Sequence, residues 1–139
     1  MKKQFIALFF ALGVLVLAGY AHAQAIVIAN PGVKASDVSK GDLKDVFTGG
    51  ATSLNGSQVT PVLLKSGGTH DEFLAAYIGK NDTAFRAGWR SLVFSGQATM
   101  PKSLDSEAAV VEFVAHNAGA IGYISKATPH EGVKVLAVR

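Results

Sequence analysis

Val59-Thr60-Pro61-Val62-Leu63-Leu64-Lys65-Ser66-Gly67-Gly68-Thr69-His70-Asp71-Glu72-Phe73 is the stretch on which the fold turns. Val59 to Leu64 is a short, nearly continuous apolar run, the pattern of a strand buried on both faces. Pro61 has no N–H to give a ladder, which puts it at a strand start or an edge strand. Lys65-Ser66-Gly67-Gly68 then breaks the pattern with two glycines. Thr69 followed by Glu72 has the spacing of a capping box, predicting a helix whose apolar stripe is Phe73, Ala76 and Tyr77 and whose stop is Gly79. Strand, glycine loop and helix in that order form one unit of an α/β domain.

The same punctuation runs outward in both directions. Ala25 to Ala29 is an apolar strand closed by Asn30-Pro31-Gly32. Ser39 caps a short helix carrying Leu43, Val46 and Phe47, which Gly49-Gly50 ends. Residues 52–58 read as a loop turning at Asn55-Gly56. Beyond Gly79, Asn81 or Asp82 opens a helix with the stripe Phe85, Trp89, Leu92 and Val93, read as core. Residues 97–104 read as loop. Asp105 or Ser106 opens another helix, with Val110, Val111, Phe113 and Val114. Ala120 to Ile124 and Val133 to Val138 complete the chain as strands. The predicted order β-α-β-α-α-α-β-β makes the class α/β, a mixed, mostly parallel sheet flanked by helices, in one domain over 24–139.

Residues 1–23 read as an address rather than as fold. Lys2 and Lys3 precede the uncharged run Phe5–Gly19, and Ala21-His22-Ala23 is a small-x-small cleavage site. The expectation is a cleaved secretory signal peptide and a periplasmic protein. Losing Lys2 and Lys3 lowers the formal charge from +3 to +1, so the basic balance of the whole chain gives no nucleic-acid signal. The chain has no Cys, and 49% of it is hydrophobic, enough for a packed core without disulfides.

Enzyme signatures are missing: no nucleophile elbow, no Walker loop, no dinucleotide fingerprint and no metalloprotease helix occur. His70, His116 and His130 have no ligand spacing and read as exposed or hydrogen-bonded surface residues, so neither metal nor cofactor is expected. A hydrolase with a Ser/His/Asp set outside the known motifs is the reading these absences weigh against. The chemistry that remains lies in the glycine loop. Ser66, Gly67, Gly68 and Thr69 stand where a strand opens into a helix, and the amides up to His70 have no intrahelical acceptor. Backbone close approach, two hydroxyls, the helix dipole and the charge of Lys65 together suit a small oxyanion. An ordinary strand-to-helix turn with a Thr69 cap uses the same residues, and residue chemistry leaves both readings open.

Four motifs in order carry a family resemblance. They are Ser39 to Gly49, ending in Phe47-Thr48-Gly49; Asn55-Gly56 with Val59-Thr60-Pro61-Val62; Trp89 with Phe94-Ser95-Gly96 and Pro101; and Gly119-Ala120-Ile121-Gly122-Tyr123. The set resembles the second lobe of the phosphate-type periplasmic substrate-binding proteins of ABC transporters. The resemblance implies a single periplasmic-binding-protein-like lobe that binds a small oxyanion, phosphate first, and works with an ABC permease or with a second lobe supplied in trans. Its alternative is a lobe without ligand that serves as an interaction module in the cell envelope. The glycine-loop chemistry gives the ligand-binding candidates as Lys65, Ser66, Gly67, Gly68, Thr69 and His70; by the resemblance, Gly68 and Thr69 match the end of the family's triplet, with Ser66 and Lys65 as substitutes. In the family this loop carries an Arg and a Ser-Gly-Thr triplet; here no Arg stands in it and Gly68 precedes Thr69 directly after Gly67.

The leader reading predicts that the exported protein begins at Gln24. Intact mass and N-terminal sequencing of the exported protein check this, and a Met1-bearing form in the membrane fraction would reverse it.

Overall fold

The computed structural model describes residues 24–139; the expected leader, 1–23, lies outside the described residues. The elements are β1 (Ala25–Ala29), β2 (Asp37–Val38), α1 (Lys40–Phe47), β3 (Ser53–Leu54), β4 (Ser57–Gln58), β5 (Thr60–Leu64) and α2 (Gly68–Phe73), which runs into a π-helical turn at Leu74–Ile78. Then come α3 (Asp82–Phe94), β6 (Lys102–Leu104), α4 (Glu107–His116), β7 (Ala120–Ser125) and β8 (Lys134–Val138).

Six strands form one sheet in the order β2-β8-β1-β7-β5-β6. Only β1 runs against its neighbours, pairing antiparallel with β7 and β8. The pairs β2–β8, β5–β7 and β5–β6 are parallel. The sheet is mixed and mostly parallel, as the apolar runs predict, because helices cover both faces and leave no polar alternation.

Gly122 and Tyr123 show how the two layers are made. Successive residues of a strand face opposite sides of the sheet. On one side, a Cβ added to Gly122 would come within 2.8 Å of Val110, 3.1 Å of Val62 and 3.4 Å of Val114, so a glycine here lets α4 close on β7. On the other side the Tyr123 ring stacks on Phe73 with centroids 3.9 Å apart, and Phe47 meets Phe73 edge-on at 4.9 Å. That cluster joins α1 and α2 to the sheet. Trp89 is core, its indole N–H donating to the Phe47 carbonyl at 2.9 Å.

Several expectations change. Pro61 sits at the start of β5, as one option had it, but β5 is an interior strand; Pro61 precedes the pairing with β6, which begins at Val62. Residues 52–58 are not plain loop: β3 and β4 pair across Asn55-Gly56, both at positive φ, the geometry of a tight hairpin turn. Residues 97–104 contain β6, whose three residues complete the sheet edge. Val93 lies 41% exposed rather than in the core, so α3 buries a narrower stripe of Phe85 and Trp89 with Leu92 at its margin.

Gly122→Ala should therefore cost about 1–3 kcal/mol through overpacking against Val110 and Val62 while leaving the topology intact. Urea unfolding checks the cost and far-UV circular dichroism the topology; an unchanged midpoint would mean that α4 does not rest on this position.

Candidate functional site

The site begins where β5 leaves the sheet. The Lys65 N–H makes the last rung, to the Leu104 carbonyl at 3.0 Å. The Leu64 N–H turns inward and donates to the Tyr123 hydroxyl at 3.0 Å. Gly67 follows at φ +114°, a conformation open to glycine. Its carbonyl accepts from the Asp71 N–H at 3.0 Å, which starts α2 at Gly68.

Gly67 thus holds the cap position, and it has no side chain to cap with. The expected Thr69 cap is not formed. Helix α2 starts two residues early, which makes Thr69 its second residue, and its hydroxyl donates to Glu107 at 3.0 Å. The amides of Gly68, Thr69 and His70 keep no partner along the helix. A Cβ added at Gly67 or Gly68 would meet nothing within 4 Å, so the backbone here is open to approach. A cleft of about 440 Å³ separates the loop, Ser66 to Thr69, from Asp105, Ser106 and Glu107 at the start of α4.

Charges line that cleft unevenly. Lys65 pairs with Asp105 at 2.8 Å, both largely exposed, an ion pair of little energetic weight. Glu107, which the sequence reading passed over, accepts from the Thr69 hydroxyl, the Thr128 hydroxyl at 2.8 Å and the Ser125 N–H. Partial burial works to raise its pKa, and these three hydrogen bonds outweigh it, so the carboxyl is held below its ordinary value of 4.5. Its one sequence signal is its place directly after the Ser106 cap, where an acid suits a helix start.

His70 is the other revision. Its side chain is 1% exposed rather than at the surface. Nδ1 lies 2.5 Å from the Tyr123 hydroxyl and Nε2 lies 2.7 Å from Asp82 Oδ1. Burial pushes the Tyr123 phenol well above its ordinary range, so it keeps its proton and donates it to Nδ1. Nε2–H then donates to Asp82, a tautomer assigned from the pairing. Burial alone would raise the Asp82 pKa; hydrogen bonds from His70 and Arg86 hold it low instead. The imidazole is fully committed, and His70 as a whole is buried outside the lining of the cleft.

The structure therefore gathers Ser66, Gly67, Gly68 and Thr69 around one cleft, with Asp105 and Glu107 opposite, while Lys65 and the buried His70 do not line it. His116 bonds its own helix and His130 the Thr128 carbonyl, away from this cleft. Among the described residues no cluster of three His, Cys, Asp or Glu has the arrangement for a metal.

No family model and no curated protein matches the chain. Solved structures do. A phosphate ABC transporter substrate-binding protein from Clostridium perfringens, solved with bound phosphate, superposes with a TM-score of 0.64 at 20% identity over 84% of this chain and 45% of its own. An ABC-type phosphate transport receptor from Vibrio cholerae gives 0.63 at 19% identity, over 84% of this chain and 46% of its own. PstS from Borrelia burgdorferi gives 0.62 at 17% identity, over 84% and 47%. The chain spans less than half the length of each. The likeness is one of fold: the chain has the architecture of a single lobe of such proteins.

The depressed Glu107 carboxyl carries a pH signature. Its stabilising bonds are complete above the unfolded-state pKa and are lost as pH falls through the lower folded-state value. Glu107→Gln should cost about 1–2 kcal/mol at pH 7. The gap between variant and parent should close on acidification below the ordinary value of 4.5. Urea midpoints across that range test this, and a gap independent of pH would remove the carboxylate charge as its source.

Proposed function

We propose that the chain is an exported, periplasmic, single-lobe substrate-binding protein that takes a small oxyanion, phosphate first, at Lys65 to His70 and serves ABC-type uptake. The observation that carries this reading is the uncapped start of α2, where Gly67 and Gly68 leave the backbone open beside the cleft and the Gly68 and Thr69 amides have no partner along the helix. The shared fold supports it, since the Clostridium perfringens neighbour was solved with phosphate bound. Amide donors need no ionisable partner and suit an anion at a helix start. Asp105 and Glu107 across the cleft weigh against a highly charged ligand, and the loop offers no arginine for a bidentate contact.

A receptor of two lobes closes on its ligand from both sides. This lobe presents one side, where water competes for the anion. Useful affinity then comes from a second lobe in trans, a second copy or a partner such as the permease. A second reading, a lobe serving as an interaction module without ligand, has its own observation. Phe94 is 96% exposed at the end of α3, with Val93 and Met100 also exposed.

Titration of the 15N-labelled protein with inorganic phosphate separates the two. On the first reading, amide shifts concentrate at Ser66 to Asp71 with a Kd of about millimolar or weaker, roughly 4 kcal/mol. Gly68→Val, whose side chain has room in the fold, abolishes them without unfolding the protein. Shifts elsewhere, or none, leave the interaction module, and Phe94→Ser should then weaken whatever association light scattering detects.

A further inference from the structure

Arg86 is a charged group at this end of the lobe that the oxyanion reading leaves without a task. It lies on α3, its side chain 20% exposed, and its Nε donates to Asp82 Oδ1 at 2.8 Å. Its Nη2 donates to two carbonyls, Leu64 at 3.2 Å and Lys65 at 3.0 Å. These are the last two carbonyls before Ser66, where the chain has already left β5.

We propose that Arg86 is the positioning residue of the glycine loop, fixing from beneath the direction in which its amides point; this rests on the reading of that loop as an oxyanion site. A trans peptide holds its C=O and the next N–H on opposite sides of one plane. The plane of Leu64 C=O and Lys65 N–H is held at both ends, by Arg86 and by the Leu104 carbonyl. The next plane joins Lys65 C=O to Ser66 N–H. Arg86 holds the carbonyl, so the Ser66 amide is turned away from the guanidinium, and Ser66 lines the cleft.

The same guanidinium ties the loop's two ends together. Asp82, which it grips, accepts from His70 Nε2, and His70 is the third residue of the helix that the loop opens. Entrance and exit of the loop are thereby referred to one side chain. The task needs a planar fork, with Nε turned to a carboxylate while Nη2 reaches two carbonyls. A lysine ammonium keeps the charge and loses that geometry.

The test compares Arg86→Lys and Arg86→Gln with Arg90→Gln, an exposed arginine one turn along the same helix. Two quantities are read on 15N-labelled full-length protein: order parameters of Ser66, Gly67 and Gly68 without ligand, and the Kd for inorganic phosphate at constant ionic strength. Both Arg86 variants should unfold cooperatively yet show loop order parameters falling from about 0.85 to below about 0.6. Their phosphate Kd should rise about tenfold or more, and Arg90→Gln should match the parent in both. Full recovery in Arg86→Lys would overturn the proposal in favour of charge alone, and an unchanged loop in both variants would overturn it outright. Should Arg86→Gln not fold, Arg86→Lys carries the comparison. Absence of phosphate shifts in the parent protein would sink the oxyanion reading. The ligand-free order parameters would still decide what Arg86 does.

Discussion

The Tyr123 hydroxyl takes the Leu64 N–H and gives its own proton to His70, and His70 passes the chain of hydrogen bonds to Asp82 and Arg86. Arg86 then returns to the Leu64 carbonyl, so the circuit ends on the residue where it began. Every buried polar atom in it is answered by another, which is what makes a buried network stabilising rather than costly. No side-chain nitrogen or oxygen that is buried among the described residues lacks a partner. Remove one member and the neighbours are left desolvated and unpaired, a penalty larger than the net worth of a single bond. This circuit links the end of β5, the first turn of α2 and the first turn of α3.

The aromatic cluster and the circuit meet at Tyr123. Its ring lies flat on Phe73, and its hydroxyl is the hub of the polar chain. One residue thereby satisfies two demands that usually compete, a large apolar contact and a buried donor with a partner. Gly122 beside it faces the opposite layer with no side chain at all. The pair allows α4 to press on one side of β7 while α1 and α2 are anchored on the other.

The larger plan of the fold was legible because it rests on local signals. Apolar runs gave the long strands, Ser39, Asn81 and Ser106 cap their helices as their sequence positions suggest, and Gly79 and Gly96 stop theirs at positive φ. The two- and three-residue strands were not legible, since β2, β3, β4 and β6 are created by pairing and carry no period of their own. The π-helical turn Leu74–Ile78 was equally silent, and it changes the apolar stripe: Leu74 and Ile78 join Phe73 in the core, while Ala76, expected there, is exposed and Tyr77 half-buried. In the site, the glycine loop could be read from its residue types. The fate of Thr69 could not, because it depends on Gly67 adopting positive φ and on a carboxylate 38 residues away. His70 misled for a related reason: its partners Tyr123 and Asp82 come from β7 and α3, and only the tertiary fold brings them together.

The sheet is bounded by β2, with two residues, and β6, with three. An exposed edge is a template for further backbone pairing, and aggregating stacks are built from segments of about six residues. These borders are too short to seed such growth, and Lys102 opens β6 with a charge. Short borders of this kind disfavour lateral growth through main-chain ladders and leave contacts between copies to side chains, whose chemistry can discriminate one surface from another.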